Sequence, residues 1–200
     1  MCYWNADIKK VKIMELALMT SHRSLKTEHI SCDFVVVGGG LAGVCAAISA
    51  ARRGIQVCLI QDRPVLGGNA SSEIRVWALG ATSHMGNNNR FSREGGVIDE
   101  ILTENMYRNK EGNPILFDMV LMDKVLAEKN IRLLLNTAVF DLSRKDRRIT
   151  GVVAFCSSSE TRYEVTGKYF ADCTGDGTVS YLAGVTYRMG AEDKETYGEG

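Results

Sequence analysis

Residues 34–43 read Phe34-Val35-Val36-Val37-Gly38-Gly39-Gly40-Leu41-Ala42-Gly43, and this stretch decides the fold. The run at 34–37 is apolar, mostly β-branched and stopped by glycine, the pattern of a strand buried on both faces. From Leu41 to Arg53 the chain is rich in alanine, with Leu41, Val44 and Ile48 spaced for one face of a helix. Gly54 stands where a helix C-cap belongs, and Ile55 to Ile60 supplies a second apolar run. Strand, helix and strand in such quick succession make a β-α-β unit, and such units build parallel sheets.

Inside that unit, Gly38, Gly40 and Gly43 satisfy G-x-G-x-x-G. The pattern follows a strand and opens a helix, the context in which it specifies a dinucleotide site. Gly38 permits the tight turn and Gly40 lets backbone approach a pyrophosphate. Gly43 lets the helix pack closely on the strand, with Ala47 one turn further along the same face. The phosphates are expected at the helix N-terminus, where free N–H groups and the helix dipole favour anions. A glycine-rich turn with no ligand is the competing reading, and the flanking elements weigh against it.

The second strand ends Ile60-Gln61-Asp62-Arg63. An acidic residue at this point holds ribose hydroxyls in dinucleotide-binding units. Gln61 stands where Glu is usual, and its amide can still donate and accept. Asp62 is a second candidate, and it also reads as a solvated turn residue, so the ribose contact stays open between the two.

Beyond Gln61 the apolar period fails as far as Gly96. Glycine, Asn and Ser cluster at Gly67-Gly68-Asn69, at Gly80, from Gly86 to Asn89 and at Gly95-Gly96. A loop this long within a compact domain is usually functional. A short helix is expected within it, near Ser72 to Leu79. Periodic segments then resume. Val97, Ile98, Ile101, Leu102 and Met106 mark one helix face, and Phe117, Val120, Leu121 and Val125 mark another after a turn at Gly112-Asn113-Pro114. Ile131 to Leu135 is expected as a third core strand. Residues 138–143, 149–156 and 162–171 alternate as strands of an antiparallel meander, which leads to a last core strand near Tyr169 to Cys173.

Two later stretches carry a resemblance. Arg63-Pro64-Val65-Leu66-Gly67-Gly68-Asn69-Ala70-Ser71-Ser72 follows the second strand, and Ala171-Asp172-Cys173-Thr174-Gly175-Asp176-Gly177 follows the meander. With the glycine turn, they resemble the FAD-dependent oxidoreductases of the glutathione-reductase-type fold, in the broad family of heterodisulfide-reductase A-like and fumarate-reductase-like flavoproteins. The likeness runs from about Cys32 to Gly190.

It implies an α/β fold: a Rossmann-like FAD-binding domain with a parallel core sheet and an inserted antiparallel β-meander. It also implies FAD as cofactor, contacted by Gly38, Gly39, Gly40, Leu41, Ala42 and Gly43, by Gln61, Asp62 and Arg63, and by Gly67, Gly68 and Asn69. Val139 resembles the position whose backbone meets adenine. Thr174, Gly175, Asp176 and Gly177 resemble the return that passes the pyrophosphate and ribityl chain. Some relatives carry an iron–sulfur cluster, but no two of the six cysteines are spaced as C-x-x-C and no ligand set for one is written here.

Composition sets the outer bounds. The chain has 24 Lys plus Arg against 24 Asp plus Glu, a balance that points to neither a nucleic-acid nor a membrane partner. No apolar run reaches the roughly 18 residues of a membrane helix. Cys45 and Cys58 fall in apolar segments and are expected as buried free thiols, which favours a reducing, cytoplasmic setting. Order is expected from Asp33, with residues 1–31 a poorly ordered extension or a short helix. Lys9, Lys10 and Lys12 before the apolar run Ile13 to Met19 imitate a signal peptide, but Glu15 interrupts it.

No reactive group stands out. Arg75, Trp77, His84, Arg90 and Arg93 lie in the loop after the Gly67-Gly68 turn, with Arg75, His84 and Arg90 as candidates to bind an anionic substrate or move a proton. Taken singly, each is more often a loop-holding or solvated residue, because a lone His or Arg carries little information. Three functions follow in order: an FAD-dependent oxidoreductase acting on a small organic substrate, a nicotinamide-dependent dehydrogenase, and an inactive nucleotide-binding fragment. The last is raised by the end of the chain at Gly200, soon after the Thr-Gly-Asp-Gly return. The resemblance implies a substrate domain and a final FAD-contacting helix beyond it, so residues 32–200 are expected to be a C-terminally incomplete FAD-binding domain.

Overall fold

The computed structural model describes residues 24–78, 94–191 and 193–198. The expected β-α-β unit is present as β2 (Phe34–Val37), α1 (Leu41–Ala51) and β3 (Val57–Ile60). Gly54 closes the helix with φ +81°, and its N–H reaches Ala51 O at 2.9 Å. After a 3-10 turn at Gly68–Ala70 come α2 (Val97–Arg108), α3 (Pro114–Leu126) and β4 (Ile131–Leu134). Asn113 caps α3 by accepting from Ile115 N–H, and Pro114 takes the first helical position, where its missing donor costs nothing. Then follow β5 (Thr137–Lys145), β6 (Arg148–Cys156), β7 (Thr161–Thr166), β8 (Tyr169–Asp172) and two short helices, α4 (Thr178–Leu182) and α5 (Lys194–Tyr197).

The strands form two sheets. One is wholly parallel in the order β4-β3-β2-β8, and the other is mixed, with β1 (Lys26–Ser31) at its edge, in the order β1-β7-β6-β5. Because side chains alternate along a strand, each core strand feeds two cores. Val36, Val57 and Leu59 face one way and pack with Val44, Ala47 and Ile48 of α1, Ile101 of α2 and Val120, Leu121 and Val125 of α3. Val35, Val37, Cys58 and Ile60 face the other way and pack with Val152, Ala154 and Val165 of the mixed sheet. The molecule is therefore a three-layer sandwich of helices, parallel sheet and mixed sheet, with the continuous apolar runs of β2 and β3 in its middle.

Four sequence expectations need correction. Lys26–Ser31, placed with the N-terminal extension, forms β1, which pairs in parallel with β7 from Lys26↔Thr161 to Ser31↔Thr166. Only Ile30 of β1 is buried, so its pattern is almost silent and the strand exists through its edge pairing. The meander strand expected over 162–171 ends at Thr166 as β7, and the chain crosses between layers at Gly167-Lys168 into β8, the last core strand expected near Tyr169 to Cys173. A Cβ on Gly167 would stand 2.7 Å from Val35 Cγ2, so the crossing runs tight against the core. In place of a helix near Ser72, residues 72–74 form a turn and 75–78 have no regular structure. Arg75 holds φ +65° there, a left-handed value that cannot continue a helix. Cys58 is buried as expected, with its thiol pushed up to about 12 by burial, but Cys45 is only half-buried.

An ion cluster ties the helical layer together. Arg52, just after α1, meets Glu100 of α2 at 2.6 Å and Glu128 at 2.7 Å, and Lys124 of α3 meets Glu100 at 2.8 Å. Hydrogen bonds from Arg52 and then Lys124 hold the Glu100 carboxyl down to about 2. A carboxylate depressed in the folded state contributes stability above its unfolded value and loses it as pH falls through the folded one. Glu100→Gln is expected to cost about 1 kcal/mol at neutral pH, a figure discounted because exposed ion pairs are screened. Glu100 is 39% exposed. Urea unfolding should show the gap to wild type closing as pH falls from 4.5 towards 2. A gap that stays constant over that range would mean the charge on Glu100 is not what the cluster uses.

Candidate functional site

The carboxyl ends of β2, β3 and β8 meet at one edge of the parallel sheet, the edge at which open α/β sheets hold ligands. A cleft of about 760 Å³ opens there. It gathers Gly38, Gly40, Leu41 and Ala42 from the first turn, Gln61, Asp62 and Arg63 from the end of β3, and Gly67, Gly68 and Asn69 from the second loop. Val139 comes from β5, and Thr174, Gly175 and Asp176 from the return after β8. Segments more than one hundred residues apart in sequence thus share one wall system.

Gly39, Gly43 and Gly177 do not line the cleft; they hold its frame. Gly39 N–H donates to Gln61 Oε1 at 2.7 Å. A Cβ on Gly43 would lie 1.8 Å from Gly38 O, and one on Gly38 would lie 2.3 Å from Cys173 O. These contacts press α1, the glycine turn and the end of β8 together. Gly177 starts α4 at φ +66°. The return is held by a small network: Asp172 accepts from Thr174 Oγ1 at 2.7 Å and from Ser180 N–H at 2.8 Å, and Thr174 Oγ1 accepts from Thr178 N–H at 2.8 Å.

Gly40 is different. It has φ −65° and ψ 177°, and a Cβ built on it meets nothing within 4 Å. Its open side is the cleft itself. The first helical hydrogen bond of α1 runs from Val44 N–H to Gly40 O, so the preceding amides lie ahead of the ladder. No side chain caps that end and no acidic residue occupies the first turn. The start of the helix therefore offers N–H groups and space to an anion, with no acidic residue in its own first turn.

Residues 33–200 match the family described as FAD dependent oxidoreductase. The chain belongs to that family. The cytochrome-type fumarate reductase of Shewanella frigidimarina is 46% identical over 70 residues, which are 34% of this chain and 12% of the relative. The same enzyme from strain NCIMB 400 is 49% identical over 61 residues, 29% of this chain and 10% of the relative. The chain thus spans about an eighth or less of the length of these relatives. Among solved structures, THI4 of Thermovibrio ammonificans superposes with a TM-score of 0.53 at 20% identity, covering 91% of this chain and 72% of that one. Sdh1 of Mycobacterium smegmatis gives 0.54 at 18% identity, covering 74% and 34%. These two share the fold, which is the Rossmann-like flavoprotein fold expected from the sequence.

For this FAD family member the cleft fits the cofactor: the missing Cβ of Gly40 leaves room for a pyrophosphate against the amides of α1. The nicotinamide reading is not favoured by the family match. Two site expectations change in detail. Arg63 turns to Glu73, at 3.0 Å, and Gln61 is 4% exposed with its amide spent on protein partners. Asp62 remains exposed at the cleft. The lining also includes Thr137, Ala138, Trp77 and Thr178, which the sequence reading did not assign to the cofactor. Ala138 adjoins Val139 in sequence, and Thr178 follows the return directly, so adjacency was the available signal for both.

The proposed reactive residues fare differently. His84 and Arg90, with Arg93, lie outside the described residues. Arg75 is bonded through Nε to Ser72 O at 2.9 Å, and it lines a neighbouring cavity of about 580 Å³ between α2, α3 and the second loop. Trp77 lines both spaces. Among the described residues, no group of three or more His, Cys, Asp or Glu is placed to hold a metal ion, and no helix is long and apolar enough to cross a membrane.

Proposed function

We propose that this chain holds FAD for an oxidoreductase in which the flavin takes a hydride or electron pair from an organic substrate. The observation that carries this reading is the single cleft shared by three glycine-bearing loops, with the Cβ position of Gly40 open towards it. When bound, FAD supplies the two-electron chemistry; the protein's part is to bind, orient and shield. The amides at the start of α1 receive the pyrophosphate. Val139 offers backbone to the adenine, as the resemblance implies, and the Thr174 to Asp176 return lines the same cleft.

The ribose falls to Asp62, since the Gln61 amide is already committed. A carboxylate accepting from ribose hydroxyls makes charge-assisted bonds. Asp62→Ala is then expected to weaken FAD binding by about 1.5–3 kcal/mol, or roughly ten- to a hundredfold. Titration of the apoprotein with FAD measures it. An unchanged affinity would return Asp62 to the status of a solvated turn residue.

The visible absorption spectrum of the purified protein tests the whole reading. A yellow protein whose colour leaves with the released cofactor supports it. A colourless protein that takes up a nicotinamide dinucleotide and ignores FAD would overturn it. With flavin bound, bleaching of that colour by an added organic reductant in the absence of oxygen reports the electron transfer.

A further inference from the structure

Gln61 sits at the end of β3, 4% exposed, and both ends of its amide are used. Its Oε1 accepts from Gly39 N–H at 2.7 Å, and its Nε2 donates to Val65 O at 3.1 Å. The two partners belong to different loops. Gly39 lies in the first glycine turn, and Val65 lies two residues before Gly67-Gly68. The loops also touch directly, through Gly67 N–H to Gly39 O at 2.8 Å. The side chain is packed under the first turn, since a Cβ on Gly39 would be 3.0 Å from Gln61 Cβ.

We propose that Gln61 is a positioning residue: it clamps the first glycine turn to the Val65–Gly68 loop, sets the spacing that receives the cofactor pyrophosphate, and does not serve the ribose. The inference rests on the FAD reading above. Its chemistry is specific to an amide. Gly39 N–H requires an acceptor and Val65 C=O requires a donor, so the position needs one of each on the same planar group, and the two partners fix which atom is which. An ionised glutamate has acceptors only. Its second oxygen would be buried against the Val65 carbonyl oxygen, which disfavours the charge. A protonated glutamate, with one hydroxyl and one carbonyl, restores the pattern.

Glutamate, the usual ribose-binding residue at this place, therefore discriminates between the two roles. A ribose ligand is served as well or better by an ionised Gln61→Glu. A clamp is broken by it and mended by protonation. The folded-state pKa of a glutamate in the clamp is raised, so its deficit is absent below the ordinary carboxylate range and grows as pH rises through the folded value.

The experiment titrates wild type and Gln61→Glu with FAD from pH 5 to pH 8, at a temperature well below the melting of either. Melting temperatures of the FAD-free proteins are recorded over the same range. The expected result is a variant that comes closest to wild type at pH 5 and binds FAD about tenfold or more weakly at pH 8, the ratio that one pKa unit represents. The melting temperature should fall and recover in parallel. Gln61→Met, which cannot donate, accepts only weakly through sulfur and does not titrate, should carry its deficit at every pH.

Equal or tighter binding by Gln61→Glu at pH 8 would make Gln61 a ribose ligand and overturn the proposal. A pH-dependent melting temperature with a constant FAD affinity would reduce Gln61 to a stability role and overturn it as well. A wild type that takes up no FAD at any pH defeats the cofactor reading instead. In that case the melting profiles still judge the clamp, which stands if Gln61→Glu recovers at pH 5 and falls if it does not.

Discussion

Gly40→Val is expected to yield a folded protein that no longer holds FAD. The backbone of Gly40, at φ −65° and ψ 177°, lies in a region that any L-residue can adopt. A Cβ there meets no protein atom within 4 Å. The folded chain therefore tolerates the substitution, apart from the poorer helix N-cap, which costs up to about 1 kcal/mol. What the valine does fill is the space beside the α1 amides that a pyrophosphate needs. Loss of that approach should lower FAD affinity by at least a hundredfold, about 2.7 kcal/mol or more, and the purified variant should carry no flavin. Circular dichroism and a melting curve close to wild type would show that the fold survives. Wild-type flavin content in this variant would remove the first glycine turn from the cofactor site.

Gly43→Ala is expected to fail in the opposite way, by destabilising the domain. A single methyl group at Gly43 would be placed 1.8 Å from Gly38 O, a backbone atom that cannot swing aside like a side chain. Gly38 is itself pinned, because its own Cβ direction is blocked by Cys173 O at 2.3 Å and its N–H bonds to Ile60 O at 2.8 Å. Relief requires α1 to lift from β2, and that opens the core formed by Val36, Val44, Ala47 and Ile48. Separating well-packed apolar surface by a few tenths of an ångström forfeits much of its dispersion contact, and overpacking of this kind costs 1–3 kcal/mol or more. Given a total stability of about 5–15 kcal/mol for a domain, denaturant unfolding of Gly43→Ala should show a midpoint far below that of Gly40→Val. Similar midpoints for the two variants would mean that α1 is not seated as tightly on the turn as the Gly38 contact requires.

The sequence by itself determined the β-α-β unit, the parallel core sheet, the meander and the region of the cofactor cleft. These rest on short-range signals: the β-branched run 34–37, the glycine spacing at 38, 40 and 43, the cap at Gly54 and the alternation through β5 and β6. Local patterns of this kind are set by periods of 2 and 3.6 residues and by which residues tolerate a turn. The same pattern could not say that one glycine of the motif opens onto the cleft while another is wedged against backbone, because that depends on what lies across from each.

Only the tertiary structure decided the rest, because the deciding contacts depend on how separate loops and layers are brought together. Lys26–Ser31 carries a single buried residue and becomes a strand through β7, whose pairing partners lie more than one hundred residues away. The stretch 162–171 divides between two sheets because Gly167 passes against Val35 at the seam of two layers. Gln61, a plausible ribose ligand by its place at the end of β3, turns inward because the N–H of Gly39 and the carbonyl of Val65 are brought within 2.7 and 3.1 Å of its amide. A buried amide takes the partners the fold presents, since leaving them unsatisfied costs more than forgoing a ligand that water can replace. That geometry, fixed by packing between loops, leaves Asp62 as the exposed group at the end of β3 that faces the cleft.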